Sequence, residues 1–240
     1  MLDCAQLLIP GDLETTYRAG CRHFVDVCKE AIFRRGAFFV ALSGGSTPKA
    51  LYTLLTKPPY REQIEWGKVW LFWSDERSGP PTDPESNYNM ALLSGFSKVA
   101  IPEGQIHRME ATGDLPKNAL AYEEKIRSLL YGQPFDLVML GMGEDGHVAS
   151  LFPGTEALLV KDHLVAANFV PQKNSMRMTL TFSCINEARV IVVYILGDSK
   201  KERVYDALMH PEKDYPIQHV GTPSHPALWI LDEKAAALLK

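Results

Sequence analysis

The sequence predicts an α/β fold: a mainly parallel sheet with helices on both faces. Three observations carry this prediction. Short segments that are wholly or almost wholly apolar, such as Ala37 to Leu42, Phe135 to Leu140 (broken only by Asp136) and Val190 to Leu196, read as strands buried on both sides. They alternate with longer segments whose apolar residues recur at helical spacing. Polar, Gly-rich turns follow the strands directly, where parallel sheets present ligand sites beyond their carboxyl ends.

Taken in order, Asp12 to Arg35 carries a helical stripe of Leu13, Tyr17, Cys21, Phe24, Cys28 and Ile32, with Asp12 as cap and Gly36 after its end. Ala37 to Leu42 is a strand, and a helix from about Pro48 to Lys57 stops at Pro58-Pro59. Lys68 to Trp73 is a second strand. Ser74 to Asn87 is rich in Pro, Ser and Asp and reads as a long loop, and Met90 to Phe96 as a helix. Asp114 to Tyr131 is a helix ended by Gly132, followed by the strand Phe135 to Leu140. Leu164 to Val170, Met176 to Phe182 and Val190 to Leu196 are strands. Gly197 opens a helix with a capping-box spacing from Ser199 to Glu202. Ala227 to Leu231 is the last strand, leading into a short helix capped by Asp232.

The 240 residues hold no repeat, low-complexity tract or linker, so a single domain spanning 1–240 is expected. The charge sum is 25 − 29 = −4, without a basic block, which argues against sequence-independent nucleic-acid binding. A local positive pocket for a small anion remains compatible with that balance. The longest apolar run, Val190 to Leu196, falls far short of the roughly 18 residues of a membrane span. Met1-Leu2-Asp3-Cys4-Ala5 carries an acid where a secretory signal would carry Lys or Arg. Cys4, Cys21, Cys28 and Cys184 form no Cys-x-x-Cys pair, so core filling and a reducing compartment are expected. These features together predict an unexported, cytoplasmic protein without a membrane or obligate protein partner.

Four turns hold the candidate chemistry. Ser43-Gly44-Gly45-Ser46-Thr47-Pro48 joins a strand to a helix. Its glycines let backbone N–H groups approach an anion at a helix N-terminus, and its hydroxyls add donors. The competing reading is an ordinary turn with Thr47 as N-cap. Ser74-Asp75-Glu76-Arg77 ends a strand, and Arg77 can clamp a phosphate or carboxylate as a fork. A solvated polar turn is the plain alternative, but the long loop that follows, with Ser86-Asn87-Tyr88, favours function. Asp75 and Asn87 are counted with the substrate-binding candidates.

Gly141-x-Gly143-x-x-Gly146 follows a strand and matches a dinucleotide fingerprint, but Pro153-Gly154 interrupts the helix such a site requires. The glycines are better read as a turn presenting His147, whose imidazole suits proton transfer near neutral pH, with Asp145 as orienting partner or turn cap. Asp145 and His147 lack a third metal ligand at a recognisable spacing, so no metal is expected. Ser150, three residues after His147, is a weaker candidate nucleophile because no strained elbow surrounds it. In Gly197-Asp198-Ser199-Lys200, Lys200 sits in a first helical turn, where the dipole disfavours a cation unless an anion binds. Arg177 and Arg189 flank strands without a decisive pattern, and the other histidines show no convergent motif.

These residues resemble the 6-phosphogluconolactonases, within the wider group that includes glucosamine-6-phosphate deaminases. The resemblance runs from about Phe38 to Ala236 and includes Trp73 to Arg77 with Ser86-Asn87-Tyr88, and Arg177-Met178-Thr179-Leu180-Thr181. Its most specific piece is Gly-x-Gly-x-Asp-Gly-His-x-Ala-Ser-Leu-Phe-Pro-Gly, Gly141 to Gly154. The deaminases continue past the Gly-His turn into a stretch supplying an acid, which Ala149-Ser150-Leu151-Phe152-Pro153 does not. Where lactonases usually carry a Pro after the Thr181 position, this chain has Phe182-Ser183-Cys184. The resemblance implies a modified Rossmann-like α/β fold, no metal or organic cofactor, and a small sugar phosphate lactone as substrate. It implies hydrolysis of 6-phospho-D-glucono-1,5-lactone in the oxidative pentose phosphate pathway. The expected roles are His147 as base, Gly44 to Thr47 with Lys200 at the phosphate, and Arg77 or backbone N–H groups at the oxyanion. Which of Arg77 and Lys200 faces the phosphate stays open at this stage. A deaminase and a non-catalytic sugar-phosphate sensor are the rival readings.

Overall fold

The computed structural model describes residues 2–239; Met1, part of the N-terminal reading above, lies outside them. Six parallel strands form the spine in the order β1-β10-β8-β5-β2-β3. They are β1 (Ala5–Leu8), β2 (Phe38–Leu42), β3 (Val69–Trp73), β5 (Leu137–Gly141), β8 (Ile191–Ile195) and β10 (His225–Leu231). The short β9 (Gly221–Thr222) pairs antiparallel with β10. All five residues of β8 are buried, and since their side chains alternate between faces, both faces of the sheet are covered there. The edge strand β1 instead alternates half-buried with exposed.

A second, antiparallel sheet of order β4-β7-β6 joins β4 (Asp75–Arg77), β7 (Ser175–Leu180) and β6 (Val165–Val170). Ser74 connects the two sheets: its N–H donates to the Leu42 carbonyl at 2.7 Å, and its carbonyl accepts from Leu180 N–H at 2.7 Å.

The helices are α1 (Leu13–Arg35), α2 (Ser46–Leu55), α3 (Asn87–Leu93), α4 (Leu115–Leu129), α5 (Phe182–Glu187) and α6 (Lys201–Met209). Asp12 caps α1 by accepting from Thr15 N–H, and Gly36 ends it in the left-handed conformation that a Cβ would penalise. Asp114 caps α4 in the same way, through Lys117 N–H. Among the described residues no helix is long and apolar enough to cross a membrane.

Several sequence expectations need correction. The loop expected over Ser74 to Asn87 contains the strand β4, and Asn87 already opens α3, capped by the Ser86 hydroxyl. Helix α2 starts at Ser46 with Gly45 as N-cap, so Thr47 is not the cap. Strand β7 ends at Leu180, and Thr181 caps α5 where a strand was expected to continue to Phe182. The Ser199–Glu202 capping box is not formed. Asp198–Lys200 make a 3-10 turn, and Lys200 itself occupies the N-cap of α6 without a side-chain bond. The segment after Asp232 is a run of turns, with the Asp232 carboxylate accepting from Ala235 N–H and from Gly197 N–H.

The order of strands places the switch point between β2 and β5: the chain runs outward from β2 to β3, then returns to the other side of β2. These two strands pair only at Val40–Leu137 and Ala41–Val138, whereas β2 and β3 pair over five positions and β5 and β8 over four. Beyond Ala41 and Val138 they part, and a cleft opens between the turns that follow them.

Candidate active site

The cleft has a volume of about 210 Å³. Gly44 to Pro48 after β2, Asp75 and Arg77 of β4, Asn87 at the start of α3, and Gly141 to Gly143 with His147 after β5 border it. Arg177 of β7, Tyr194 of β8 and Lys200 before α6 complete the wall. The sequence-derived candidates Ser43, Gly44, Gly45, Ser46, Thr47, Asp75, Arg77, Asn87, His147 and Lys200 therefore meet at one place, with Asp145 directly behind His147.

The anion-cradle turn is stiffened from below. The buried Tyr52 hydroxyl accepts from Ser43 N–H at 2.9 Å and donates to the Ser43 carbonyl at 2.8 Å. Burial pushes the Tyr52 phenol well above its ordinary pKa, so it stays a neutral donor. Gly45 has φ 103°, a conformation that L side chains rarely adopt. The first intrahelical bond of α2 runs from Lys49 N–H to the Gly45 carbonyl. Ser46 and Thr47 N–H therefore have no acceptor within the helix, and Pro48 has no N–H at all.

His147 is fixed from three directions. Its Nδ1 lies 2.5 Å from Asp145 Oδ1, and its backbone N–H donates to the same carboxylate at 3.2 Å. The imidazole lies 3.7 Å from the Phe152 ring, centroid to centroid, with planes 17° apart. The ring also closes on Gly143, where a Cβ would sit 2.1 Å from it. That close approach explains this glycine. Burial raises the Asp145 pKa, but the hydrogen bonds and charge of His147 more than reverse it and hold the carboxyl below its usual range. With Asp145 ionised, the bond to Nδ1 selects the tautomer with Nδ1–H and leaves Nε2 as a free base. Arg203 Nε donates to the Glu144 carbonyl at 2.7 Å and its guanidinium lies 4.2 Å over Tyr215. Tyr215 in turn covers Gly146, and Ile217 N–H donates to the Gly146 carbonyl. The turn is thereby braced from the α6 side.

Arg177, ambiguous in sequence, is drawn into the site by the β4–β7 register, which sets it directly opposite Arg77. Like charges at opposed positions repel unless an anion sits between them. Arg77 Nη1 is occupied by the Glu85 carbonyl at 2.7 Å, and the buried Nε atoms of both arginines have no partner among the described residues. Burial and then Arg77 lower the Arg177 pKa, and Asp75 offsets part of that. The Arg177 guanidinium sits 5.6 Å over the Phe152 ring, on which His147 also stacks. Burial also lowers the Lys200 pKa, opposed by Glu144 and Asp145.

The structure adds Glu76 to the site and redefines Ser150 and Asp75. Glu76, buried at 3% exposure, accepts from Ser86 Oγ and from the N–H groups of Arg77, Asn87 and Tyr88. It thus anchors the start of α3 against β4. Burial raises its pKa despite these four bonds. Ser150 is fully buried and its Oγ donates to Asp75 Oδ2 at 2.7 Å, so it is not a nucleophile paired with His147. Asp75, expected at the substrate, has one carboxylate oxygen bound by Ser150 and the other by Asn87. No group of three His, Cys, Asp or Glu side chains converges as metal ligands among the described residues.

A family model described as glucosamine-6-phosphate isomerases/6-phosphogluconolactonase matches residues 11–229. The chain belongs to this family. A 6-phosphogluconolactonase of Chlamydia muridarum is 42% identical over 232 residues, covering 95% of this chain and 88% of the relative. A 6-phosphogluconolactonase of Synechocystis is 38% identical, covering 88% of each chain. The solved 6-phosphogluconolactonase of Trypanosoma cruzi superposes with a TM-score of 0.88 at 29% identity, covering 100% of this chain and 98% of that one. In this chain the cleft lies at the β2–β5 switch point, and all four turns singled out in the sequence reach it.

Proposed function

We propose that the chain hydrolyses 6-phospho-D-glucono-1,5-lactone to 6-phospho-D-gluconate, a step of the oxidative pentose phosphate pathway. The observation that carries this reading is the oriented His147–Asp145 pair opening onto the same cleft as an anion cradle and three cationic side chains. Relatives named 6-phosphogluconolactonase along almost the full chain support it.

In the proposed reaction the substrate phosphate takes the N–H groups of Gly44 to Thr47, with Lys200 and Arg177 as its cations. His147 Nε2 removes a proton from water as the water oxygen attacks the lactone carbonyl carbon. The carbonyl π electrons move onto oxygen, and Arg77 is the side-chain donor assigned to this oxyanion. The tetrahedral intermediate collapses, the bond to the ring oxygen breaks, and that oxygen receives the proton back from His147. The product is an open-chain acid that ionises. Asp145 positions the ring and stabilises the imidazolium without touching substrate.

General base action supplies roughly 10²–10⁴-fold and an oxyanion donor about 2.7–4 kcal/mol. A δ-lactone is already an activated ester, so these contributions and a phosphate handle suffice without an acyl-enzyme. A cytoplasmic site of action goes with this reading, and the four free, buried cysteines suit a reducing compartment. The test is a lactone-opening assay on freshly prepared phosphogluconolactone with spontaneous hydrolysis subtracted. Turnover proportional to enzyme is expected; a rate equal to the uncatalysed one refutes the assignment.

A further inference from the structure

The base turn and the anion turn stand on two strands that share only two register pairs and then diverge. Each turn is held locally, by Tyr52 at Ser43 and by Asp145 and Tyr215 around His147, but none of these contacts joins one turn to the other. Gly45 at φ 103° shapes one turn and Ala149 at φ 47°, uncommon for a residue with a Cβ, lies just beyond the other. Something other than the sheet must set the distance between them, because the phosphate and the lactone carbonyl lie at a fixed separation in one substrate.

A continuous buried chain of contacts spans that gap. Ser150, three residues beyond His147, donates from Oγ to Asp75 Oδ2 at 2.7 Å. Asp75 Oδ1 accepts from Asn87 Nδ2 at 3.1 Å, and the Asp75 carbonyl accepts from the same amide at 2.9 Å. The Asn87 oxygen then fills the space above Gly44, 1.9 Å from where a Gly44 Cβ would stand. The two acceptors on Asp75 fix which end of the amide points to Gly44.

Ser150, Asp75 and Asn87 are 0%, 5% and 1% exposed. Ser150 is held on every polar atom: its N–H donates to Thr179 Oγ1 at 3.2 Å and its carbonyl accepts from Asn168 Nδ2 at 2.8 Å. It is therefore a fixed point tied to β4, β6 and β7 at once. Hydrogen bonds this well buried resist displacement more than solvated ones do, since no water replaces a lost partner.

We infer that Ser150, Asp75 and Asn87 are positioning residues that hold the His147 turn and the Gly44 turn at the separation a phosphorylated lactone requires. Asp75 and Asn87 thus act on the substrate through the two turns. This inference rests on the lactonase reading. It predicts a particular defect: loss of the advantage that a phosphate confers. A substrate without phosphate needs only the base turn, whereas a phosphorylated one must meet both turns together.

The experiment compares 6-phospho-D-glucono-1,5-lactone with unphosphorylated D-glucono-1,5-lactone in the wild type, Ser150→Ala, Asn87→Ser and the double variant, with thermal midpoints recorded in parallel. Each single variant is expected to lower the kcat/KM preference for the phosphorylated lactone by about 10-fold or more, the scale of a sub-ångström to 1 Å misplacement. The double variant is expected to lose no more than the larger single loss, as residues of one chain do. A merely structural role lowers both substrates equally by reducing the folded fraction. An unchanged preference in the single variants, or multiplicative losses in the double, overturns the inference. If Ser150→Ala does not fold, Ser150→Cys, with a weaker donor of similar shape, gives the same reading. Wild-type turnover of the phosphorylated lactone tests the lactonase assignment separately.

Discussion

The His147 imidazole and the Phe152 ring lie face to face, 3.7 Å between centroids and 17° from parallel. Phe152 is 1% exposed, so the imidazole rests on a buried apolar ring where it borders the cleft. The same ring carries Arg177 at 5.6 Å, so one side chain seats both an imidazole and a guanidinium.

His147→Ala is expected to cut kcat by at least about 10²-fold with little change in KM, because a base acts only as the transition state forms. Steady-state kinetics on the phosphorylated lactone measure this. Turnover at the wild-type rate removes His147 from the mechanism.

Asp145→Asn tests orientation and, separately, acid stability. It should lower kcat by about 10-fold or more while KM stays near wild type. The sign of its pH effect follows from its lowered folded pKa. The stabilisation is complete above the ordinary Asp value of about 3.9 and is lost as pH falls through the lower folded value. The variant should therefore show a flatter decline of thermal midpoint below about pH 4 than the wild type. Parallel acid limbs for the two proteins contradict the ion-pair account.

Arg177→Ala and Lys200→Ala should each raise KM for the phosphorylated lactone by about 10-fold or more, as loss of a charge-assisted phosphate contact does. Unphosphorylated gluconolactone should be affected much less. An equal loss on both substrates moves the residue concerned away from the phosphate.

Two glycines separate the two turns by experiment. Gly143→Ala sets a methyl 2.1 Å from the His147 ring, and Gly44→Ala sets one 1.9 Å from the Asn87 amide. The first should reduce kcat and the second should raise KM, each by about 10-fold or more, since small misplacements of reacting groups are costly. Wild-type parameters in either variant show that the close approach is not needed.

The thiols should be silent in the native state. Burial pushes Cys21 and Cys28 up to about 12 and raises Cys4 and Cys184 as well. Labelling with a thiol-reactive chromophore at neutral pH should be absent until denaturant is added, when four equivalents react. Rapid native labelling refutes this picture of the core.

The legible parts of the fold were those whose signal is local. Strands β2, β5 and β8 are continuous apolar runs, and the cap of α1 is set by a single aspartate. β1 was missed because Ala-Gln-Leu-Leu is too short and too half-exposed to show a period. β4 was missed because Asp-Glu-Arg has no strand propensity; it is extended because β7 pairs with it. The site follows the same rule. His147, Lys200 and the Gly44 turn announce themselves by neighbours in the chain. Arg177 becomes meaningful only through its register opposite Arg77, and Ser150 through a carboxylate 75 positions away. Glu76 looked like one more charge in a polar turn, and its four donors converge only once α3 is docked.

The early parting of β2 and β5 has a bearing on how this scaffold can change its target. The opening starts where the ladder between these strands stops, and residues from β4, β7 and the strand-end turns wall it. Replacing the lining can then alter which cyclic ester is accepted while the central ladder keeps its rungs. A search for new substrates is best begun at a wall position such as Leu196, which borders the opening yet lies outside both turns.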